Sequence, residues 1–366
     1  MPGLFDNSLL WPVAALLVGV TAGVMTWKVT PYFRFAYPSA RVQAIGNPFV
    51  REKELSQFLE CKSINSFKSS LNVYKDYNVE GLTASEIQSS LDEHFVETLR
   101  MVQKDSPKKL RGFYDAYLKL LDGLSVKLAL KSKVLGEELK SASTVFPETR
   151  KTLEVIKSVS VDELPSVLKE RGFDEGVVEV LKSGGKDLLK LDAAVDKSYI
   201  RGLRSAEVPR EAKGVRDEFV LRLIDIKNIK NVLRAKRLGY SAEECENLFV
   251  GEGKEIAWWK FKELARLNDL KDVVSSLQGT FYFPFLKKEL EKHGEKEGVQ
   301  PFENALDESL LKVVENLSIK NFPLFGPLLR FIVAKEFEIR NLKVIVKGVE
   351  EKLGVERIKT LLILEG

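Results

Sequence analysis

Residues 223 to 239, LIDIKNIKNVLRAKRLG, place an acid and an amide inside an apolar pattern of helical spacing. Asp225 and Asn228 are three residues apart, so a helix presents them on one face, beside Ile224 and Ile229. A carboxylate on such a face can serve as a general acid or base if its surroundings shift its pKa. It can equally be a structural group, because a buried carboxylate needs strong hydrogen-bond donors around it.

The same stretch ends in a cluster of bases that could bind a phosphate backbone, contact an acidic partner or face solvent. The candidates for partner contact are Lys230, Arg234 and Arg237. The charge balance argues against a dedicated nucleic-acid binder, since 57 basic and 53 acidic residues leave a formal charge of only +4. No stacked-aromatic RNA motif accompanies the bases. We therefore expect no nucleic-acid partner, and a solvated helix face or contact with an acidic protein remain as alternatives.

Other residue types suited to catalysis or metal binding are too scattered to form a recognisable site. The two histidines, His94 and His293, lie far apart, and the two cysteines, Cys61 and Cys245, form neither a disulfide framework nor a CxxC metal knuckle. The stretch SGGKD, residues 183 to 187, lacks the spacing and the hydroxyl of a phosphate-binding loop. We expect no catalytic residue, no cofactor, no metal and no small-molecule substrate.

The acid and its amide neighbour belong to a pattern that occurs three times. Two other stretches, KLLDGLSVKLALKSKVLG from 119 and AKEFEIRNLKVIVKG from 334, carry an acid, then serine or asparagine three residues later, then an apolar residue and a lysine. Catalysis needs such an acid once, in one cleft, whereas a tie between helices is needed in every copy. The structural interpretation is favoured for the residues that we expect to act as polar ties: Asp122, Asp225, Asn228, Glu338 and Asn341.

A second motif lies upstream of each acid at nearly constant distance. LDEHF begins at 91, VDKSY at 195 and LDESL at 306, and their aspartates precede the three acids by 30, 29 and 31 residues. Copies separated by 103 and 113 residues are domain-sized and too long for solenoid units. Apolar residues recur at helical intervals, without strand-like alternation. We expect an all-α fold of three similar helical-bundle domains, at residues 37–140, 141–249 and 250–366.

Capping signals predict where some of these helices begin and end. LGYSAEE, residues 238 to 244, offers Gly239 as a helix stop and Ser241 as a helix start, with Glu244 completing a capping box. GLTASEIQ, residues 81 to 88, has similar chemistry before the LDEHF motif. Both stretches therefore predict a helix boundary.

The first 36 residues differ from the rest because they include an uncharged apolar stretch. Leu9 to Trp27 is 19 residues long, or about 28 Å as a helix, which is close to the hydrocarbon thickness of a bilayer. Only Asp6 precedes this stretch and bases follow it from Lys28, so the positive-inside rule places the bulk of the chain on the cytoplasmic side of the cell membrane. We expect membrane contact through residues 9–27. A buried core helix and an N-terminus extended by a wrong start codon are the alternatives.

The sequence resembles the C subunit of the archaeal-type (A-type) ATP synthase, a relative of the d subunit of vacuolar ATPases. The resemblance covers roughly residues 36 to 366. It is carried by FVLRLIDIKNIKNVLRAKRLGYSAEE in the second copy, by FENALDESL and FGPLLRFIVAKEFEIRNLKVIVKG in the third, and by the opening FAYPSARVQAIG. The first copy departs from the pattern at Gly123 and Ser125, and Pro38 interrupts the opening helix.

The resemblance implies a pseudo-threefold funnel of helical bundles that seats the central rotor stalk, with its D- and F-type subunits, on the membrane ring of proteolipid subunits. Such a socket performs no chemistry and transmits torque between proton or sodium flow and ATP turnover elsewhere in the complex. Three alternatives come from other classes. They are a membrane-tethered helical scaffold or adaptor unrelated to rotary ATPases, an enzyme that uses the aligned acids, and an RNA-binding helical repeat.

Overall fold

The computed structural model describes residues 7–138, 147–293 and 298–365. In these ranges the chain forms α-helices joined by loops, one 3₁₀ turn at Lys108–Leu110 and no β-strand, which confirms the expected all-α fold. Residues 1–6, with Asp6, and the expected domain boundary at 140 and 141 lie outside the described residues.

The helices are α1 Asn7–Ile45, α2 Glu52–Leu59, α3 Ile64–Leu71, α4 Ala84–Asp105, α5 Arg111–Leu121, α6 Gly123–Leu135, α7 Pro147–Ser158, α8 Leu164–Glu170, α9 Glu175–Lys182, α10 Leu188–Ser205, α11 Arg210–Arg237, α12 Ala242–Glu246, α13 Trp258–Ala265, α14 Leu270–Ser276, α15 Phe283–His293, α16 Gln300–Lys320, α17 Gly326–Glu350 and α18 Val355–Lys359.

Each copy of the sequence repeat is built on a pair of long helices joined by a short turn. We name α4, α10 and α16 the leading helices, and α5 with α6, α11 and α17 the return helices. The leading helix carries the motif of the LDEHF type, and the return helix carries the acid with its serine or asparagine. In the first copy the return helix is interrupted between α5 and α6, where a β-carbon on Gly123 would come within 3.2 Å of the Tyr199 ring.

The leading helix of each copy packs on the return helix of the preceding copy. α10 contacts α5 and α6, α16 contacts α11, and α4 contacts α17. The last of these contacts joins the third copy to the first, so the three helix pairs form a closed ring. This cyclic order is consistent with a pseudo-threefold arrangement.

The apolar core continues across the junctions between copies. Val126 and Leu130 of α6, in the first copy, pack with Leu168 of α8 and Leu191 of α10, in the second. A larger cluster joins the end of α1 to the first copy, to both long helices of the second and to the third. Burial of apolar side chains thus holds the copies to each other as well as each copy together.

The N-terminal helix α1 is apolar and largely unsupported by the rest of the protein. It is continuous over 39 residues and contains Pro12, Pro31 and Pro38, so the expected boundary between residues 36 and 37 falls inside one helix. Among the described residues, the part of α1 from Trp11 to Ile45 is long and apolar enough to cross a membrane, with a mean hydropathy of 1.6. Its side chains are mostly exposed from Trp11 to Arg34, and packing against the body begins at Phe35.

The local signals for helix boundaries are confirmed. Ser241 and Glu244 form a complete capping box at the start of α12, and Gly239 takes the left-handed conformation with φ of 75° after α11. Thr83 and Glu86 form the corresponding box at the start of α4. Short polar sequences therefore determine where these helices begin.

Candidate functional site

Three lysine–aspartate ion pairs link the copies in the same cyclic order as the helices. The lysine comes from the return helix of one copy, and the aspartate comes from the leading-helix motif of the next. The pairs are Lys127–Asp196, Lys230–Asp307 and Lys343–Asp92, each with 2.6 Å between Nζ and a carboxylate oxygen. We name these three pairs the ion-pair ring. The third pair runs from the third copy back to the first, so charge pairing closes at every junction.

A second layer of pairs lies one helical turn further along each return helix. Lys131 donates a hydrogen bond to Asp192 at 2.6 Å. Arg234 donates a bidentate pair of hydrogen bonds to the carboxylate of Glu303, at 2.5 and 2.7 Å. At the third junction the acid is replaced by Gln88.

The third junction uses its polar groups differently. The Gln88 amide donates to the carbonyl of Lys343 at 2.9 Å. Lys347, which corresponds to Lys131 and Arg234, pairs with Glu350 and Glu351 of its own helix. The second layer is therefore complete at two junctions out of three.

Two of the ring aspartates receive a further base from their own copy. Asp196 lies between Lys127 and Lys227, the latter at 3.2 Å, and Asp307 also contacts Arg340 at 3.0 Å. Burial alone would raise the pKa of Asp196, but Lys227 and Lys127 outweigh it and lower the pKa to about 2. Both ring aspartates are thus held in the charged form by bases from two copies.

The ion-pair ring surrounds a central cavity of about 710 Å³. Return and leading helices of all three copies line it, and the equivalent lysines Lys127, Lys230 and Lys343 are among the lining residues. Near the turns that join leading to return helices, the cavity is closed by buried aromatic rings. Tyr117 and Phe219 lie 6.3 Å apart at its floor, with Phe113 and Phe325 in an edge contact at 5.2 Å beyond them. The wider end lies at the opposite ends of the return helices, where Leu353 is partly exposed.

The apolar helix α1 extends from the closed end of the cavity. Asn47, just after α1, bonds to the carbonyl of Phe331 in the second turn of α17. Six residues earlier, Arg41 pairs with Asp105, the last residue of α4, beside the turn that closes the cavity. Because the helix keeps this direction, its exposed part before Phe35 extends beyond the closed end, away from the open one.

The acid and asparagine of the second copy are fully buried and bind one extended segment. Asp225 accepts hydrogen bonds from the backbone N–H groups of Glu255 and Ile256 and from the Tyr282 hydroxyl at 2.8 Å. Asn228 accepts from the N–H of Val250 at 3.0 Å and donates to the carbonyl of Gly251 at 2.9 Å. These ties therefore join a helix to irregular backbone, whereas the sequence suggested a tie between helices.

The third copy repeats this arrangement. Glu338 accepts from the Tyr77 hydroxyl and from Lys335, and Asn341 accepts from the N–H of Ile363 at 2.9 Å and donates to its carbonyl at 2.8 Å. Each asparagine binds the residue 22 positions further along the chain, Val250 or Ile363. The same spacing in two copies gives the same N–H to asparagine bond, although Asn228 donates to Gly251 and Asn341 to Ile363 and Phe49.

The first copy departs from the other two. Asp122 ends α5 at the interruption of the return helix and lies at the wall of the central cavity. Burial, together with the charge of Asp122, raises the pKa of the nearby Tyr199. The sequence spacing alone does not reveal this difference, because Asp122 occupies the same position in the pattern as Asp225 and Glu338.

The candidate partner-contact bases lie in two different settings. Lys230 and Arg234 face the next copy, where they pair with Asp307 and Glu303 at the cavity wall. Arg237 is exposed at the end of α11. The first two bases are thus engaged inside this chain, and Arg237 faces solvent.

Known proteins match this chain over most of its length. A family model described as ATP synthase (C/AC39) subunit matches residues 38–361. The chain belongs to this family. It is 30% identical over 345 residues to the C subunit of the A-type ATP synthase of Methanothermobacter thermautotrophicus, an alignment that covers 92% of this chain and 89% of that protein.

Two further relatives carry the same name. The A-type ATP synthase C subunit of Methanobrevibacter smithii is 28% identical over 359 residues, covering 94% of this chain and 91% of that protein. The C subunit of Pyrococcus horikoshii is 27% identical over 357 residues, covering 94% of each chain. The resemblance expected from the sequence is therefore confirmed.

In this member of the ATP synthase (C/AC39) subunit family, the histidine and cysteine side chains that the structure describes, those of His94, Cys61 and Cys245, form no common cluster. His94 lies against the Tyr77 ring at 4.5 Å, and burial together with Lys335 lowers its pKa to about 4. Cys245 is buried in the core, and the side chain of His293 lies outside the described part. Within that described part, no group of three or more His, Cys, Asp and Glu side chains is placed to hold a metal ion.

Sequence reasoning missed several residues of these ties. Gly253 approaches Asp225 so closely that a β-carbon would come within 1.9 Å of its Oδ1, so only glycine fits. In the sequence it lies in GEGK, residues 251 to 254, a glycine pair typical of a loop. Tyr282 and Tyr77 lie in aromatic-rich stretches typical of an ordinary core, and nothing in their spacing shows that they donate to a buried acid.

Replacing each ring lysine by methionine should destabilise the protein in proportion to burial. We expect Lys127→Met to lower the free energy of unfolding by about 3 kcal/mol, because it removes the cross-copy partner of a buried aspartate. Lys343→Met should cost about 1 kcal/mol, since the exposed fractions of Lys343 and Asp92 are 30% and 15%, against 9% and 6% for Lys127 and Asp196. Urea unfolding, with the exposed Lys197→Met as control, measures the losses. Equal losses for Lys127→Met and Lys343→Met would contradict this ranking.

The free energy of unfolding should fall as pH rises from about 4.5 to 7, because Asp225 loses its proton over this range. Burial raises its pKa to about 6, although hydrogen bonds from Ile256, Tyr282 and Glu255 limit the rise. Between the unfolded and folded pKa values the folded state holds the extra proton, so raising the pH removes about 2 kcal/mol of stability.

The variant Asp225→Asn should lack this pH dependence, because an amide does not titrate in this range. Urea unfolding of the wild type and Asp225→Asn across this range measures the difference. The exposed Asp162→Asn should follow the wild type. Parallel pH curves for wild type and Asp225→Asn would show that Asp225 does not titrate in this range.

Proposed function

We propose that this chain is a non-catalytic central-stalk subunit of a rotary A/V-type ATP synthase or ATPase. In this role it is a socket that couples the rotor shaft, with D- and F-type subunits, to the membrane ring of proteolipid subunits. It transmits torque during proton or sodium transport. The single observation that carries the proposal is the central cavity, which is lined by all three copies and closed at the end from which α1 extends.

The geometry of the cavity suits an axial partner. An elongated shaft can enter along the common axis of the three copies, and the aromatic floor stops it at a fixed depth. The closed end then faces the membrane ring, because the apolar helix leaves from that end. Membrane contact through residues 9–27, with the body on the cytoplasmic side, agrees with this orientation.

The polar network supports a mechanical role. A socket that carries torque has to resist shear between its parts, and non-directional apolar packing resists sliding poorly. The ion-pair ring fixes each junction between copies, and Asp225 and Asn228 fix the return helix to its neighbouring segment. Directional bonds at fixed positions make the body stiff in the direction in which torque acts.

Isolation of the chain with its neighbours tests the assignment. We expect the tagged full chain, solubilised from its native membrane in mild detergent, to carry rotor-shaft and proteolipid subunits, identified by mass spectrometry. A tagged, unrelated membrane protein of the same cells is the control. Recovery of the chain without either class of subunit would reject the proposal and favour a membrane-tethered scaffold.

Charges inserted in α1 test the membrane contact. Leu17→Arg with Val20→Arg places two charges in the apolar stretch, at a cost of about 3 kcal/mol for each in a bilayer centre. We expect alkaline carbonate to leave the wild type in the membrane fraction and to extract this variant. The matched control is Val73→Arg with Leu82→Arg, two exposed apolar positions of the first copy, which should stay with the membrane. Extraction of the wild type would exclude insertion.

A further inference from the structure

The turns that join leading to return helices carry the protein's excess of positive charge. All three turns lie at the closed end of the cavity, because each return helix runs antiparallel to the leading helix that it packs on. Residues 103–113, 203–213 and 317–327 hold eight bases and three acids, an excess of five, whereas the whole chain has an excess of four. We name these eight bases the basic face: Lys104, Lys108, Lys109, Arg111, Arg204, Arg210, Lys213 and Lys320.

The basic face is available to a partner. All eight side chains are exposed, and none of them forms an ion pair with another residue that the structure describes. Of the three acids in the same turns, Asp105 is already paired with Arg41 of α1. At the open end, by contrast, Lys131, Arg234 and Lys347 are paired with acids of this chain. The closed end thus presents an excess of unpaired positive charge.

Two large apolar side chains lie among these bases. Ile319 and Phe322, in the turn of the third copy, are 69% and 58% exposed. With Val42 and Phe331 they line a groove of about 400 Å³ between this turn and α1. Bases mixed with exposed apolar side chains are typical of protein surfaces that lie in the interfacial layer of a membrane.

The length of α1 brings the basic face close to the lipid headgroups. The uncharged stretch ends at Trp27, and the helix first packs on the body at Phe35, eight residues further on. Eight helical residues span about 12 Å, and the headgroup layer beside the hydrocarbon core is about 6 Å thick. Long lysine and arginine side chains reach across much of the remaining distance. Between these two points, Tyr32 and Phe33 are exposed at the depth where aromatic rings prefer to lie.

We propose that the basic face binds the phosphate groups of anionic phospholipids in the membrane that α1 enters. This inference rests on the proposed membrane contact of α1. Clusters of four to eight bases beside a membrane-spanning helix attract anionic headgroups. Pro31 removes a backbone hydrogen bond from α1 between the bilayer and the body, so the helix alone resists bending poorly. The basic face supplies the second contact, which holds the body against the membrane surface.

An acidic protein surface, such as loops of the membrane ring, would also attract these bases. Lipid is favoured because α1 brings a bilayer to the closed end without any other subunit. The bases also belong to the turns of all three copies and do not surround one pocket. A spread of positive charge suits the spread of negative charge on a membrane surface.

Quenching of a fluorescent label by headgroup nitroxides measures the contact. The full chain carries bimane on Ser205→Cys, exposed in the turn of the second copy, with Cys61 changed to serine and Cys245 buried. It is placed in nanodiscs of phosphatidylcholine alone or of an equal mixture with phosphatidylglycerol, both containing a nitroxide-headgroup lipid. We expect roughly fivefold stronger quenching in the anionic discs at about 0.1 M salt, and little difference at about 1 M, where charges are screened within about 3 Å.

Two matched variants locate the effect. The closed-end variant should lose most of the preference for anionic discs and keep the urea-unfolding midpoint, since its four changes affect exposed, unpaired bases: Lys108→Gln, Lys109→Gln, Arg210→Gln and Lys213→Gln. The open-end variant removes four exposed bases at the other end and should behave as the wild type does: Lys182→Gln, Lys186→Gln, Arg237→Gln and Arg357→Gln.

The outcomes distinguish this inference from the function on which it rests. If the wild type does not enter the discs, the proposed membrane contact of α1 is wrong and the inference fails with it. If it enters and is quenched equally in neutral and anionic discs, α1 is the anchor and the basic face serves an acidic protein surface instead of lipid. Equal losses in the closed-end and open-end variants would show that only net charge matters, which also overturns the inference.

Discussion

Burying a lysine and an aspartate together costs several kcal/mol of desolvation for each charge, and the cost is recovered only when both meet in good geometry. The ion-pair ring sets this condition most strictly at Lys127–Asp196 and Lys230–Asp307, and less so at Lys343–Asp92, where the two side chains are 30% and 15% exposed. Each copy supplies the lysine for the next and the aspartate for the one before, as Lys230 and Asp196 do in the second copy. A copy that is rotated or displaced leaves a buried charge unpaired. The apolar surfaces provide most of the stability, and the ring determines which arrangement of the copies they stabilise.

The buried acid and asparagine of the return helix also need well-placed partners, and they find them closer along the chain. Asp225 and Asn228 lie on the return helix just before the ring lysine Lys230, and they bind the segment that leads into the next copy. A single helical stretch therefore bonds to the following copy through its lysine and to the connecting backbone through its acid and amide. This explains why the three residue types occur together at fixed spacing.

The sequence pattern predicted an all-helical fold and the buried acids, but it did not predict which copies pair. Lys127 and Asp196 each belong to a recognised motif, and only folding shows that the lysine of one copy meets the aspartate of the next. The bases of α11 have the pattern of a solvated helix face, because a base paired across a junction has the same local sequence as one facing water. Asp122 shares its position in the pattern with Asp225, and the interruption of the return helix at Gly123 gives it different surroundings.

The junction that closes the ring, between the third copy and the first, is built differently from the junction between the second and third copies. Between the second and third copies, the segment held by Asp225 and Asn228 is continuous, from Val250 to Ile256. Between the third copy and the first, the corresponding contacts come from opposite ends of the described chain. Asn341 bonds to the carbonyls of Phe49 and Ile363, which belong to two separate segments of backbone.

Non-covalent contacts must therefore replace a peptide connection at this junction. The N–H of Glu365 donates to the carbonyl of Val50 at 2.7 Å, and the carboxylate of Glu365 is buried against Arg330. Helix α1 packs on α4 and α17, the two helices that meet there. Any load that passes along α1 thus enters the ring at the junction between the third copy and the first, where these bonds act together with the Lys343–Asp92 pair and the packing of α4 on α17.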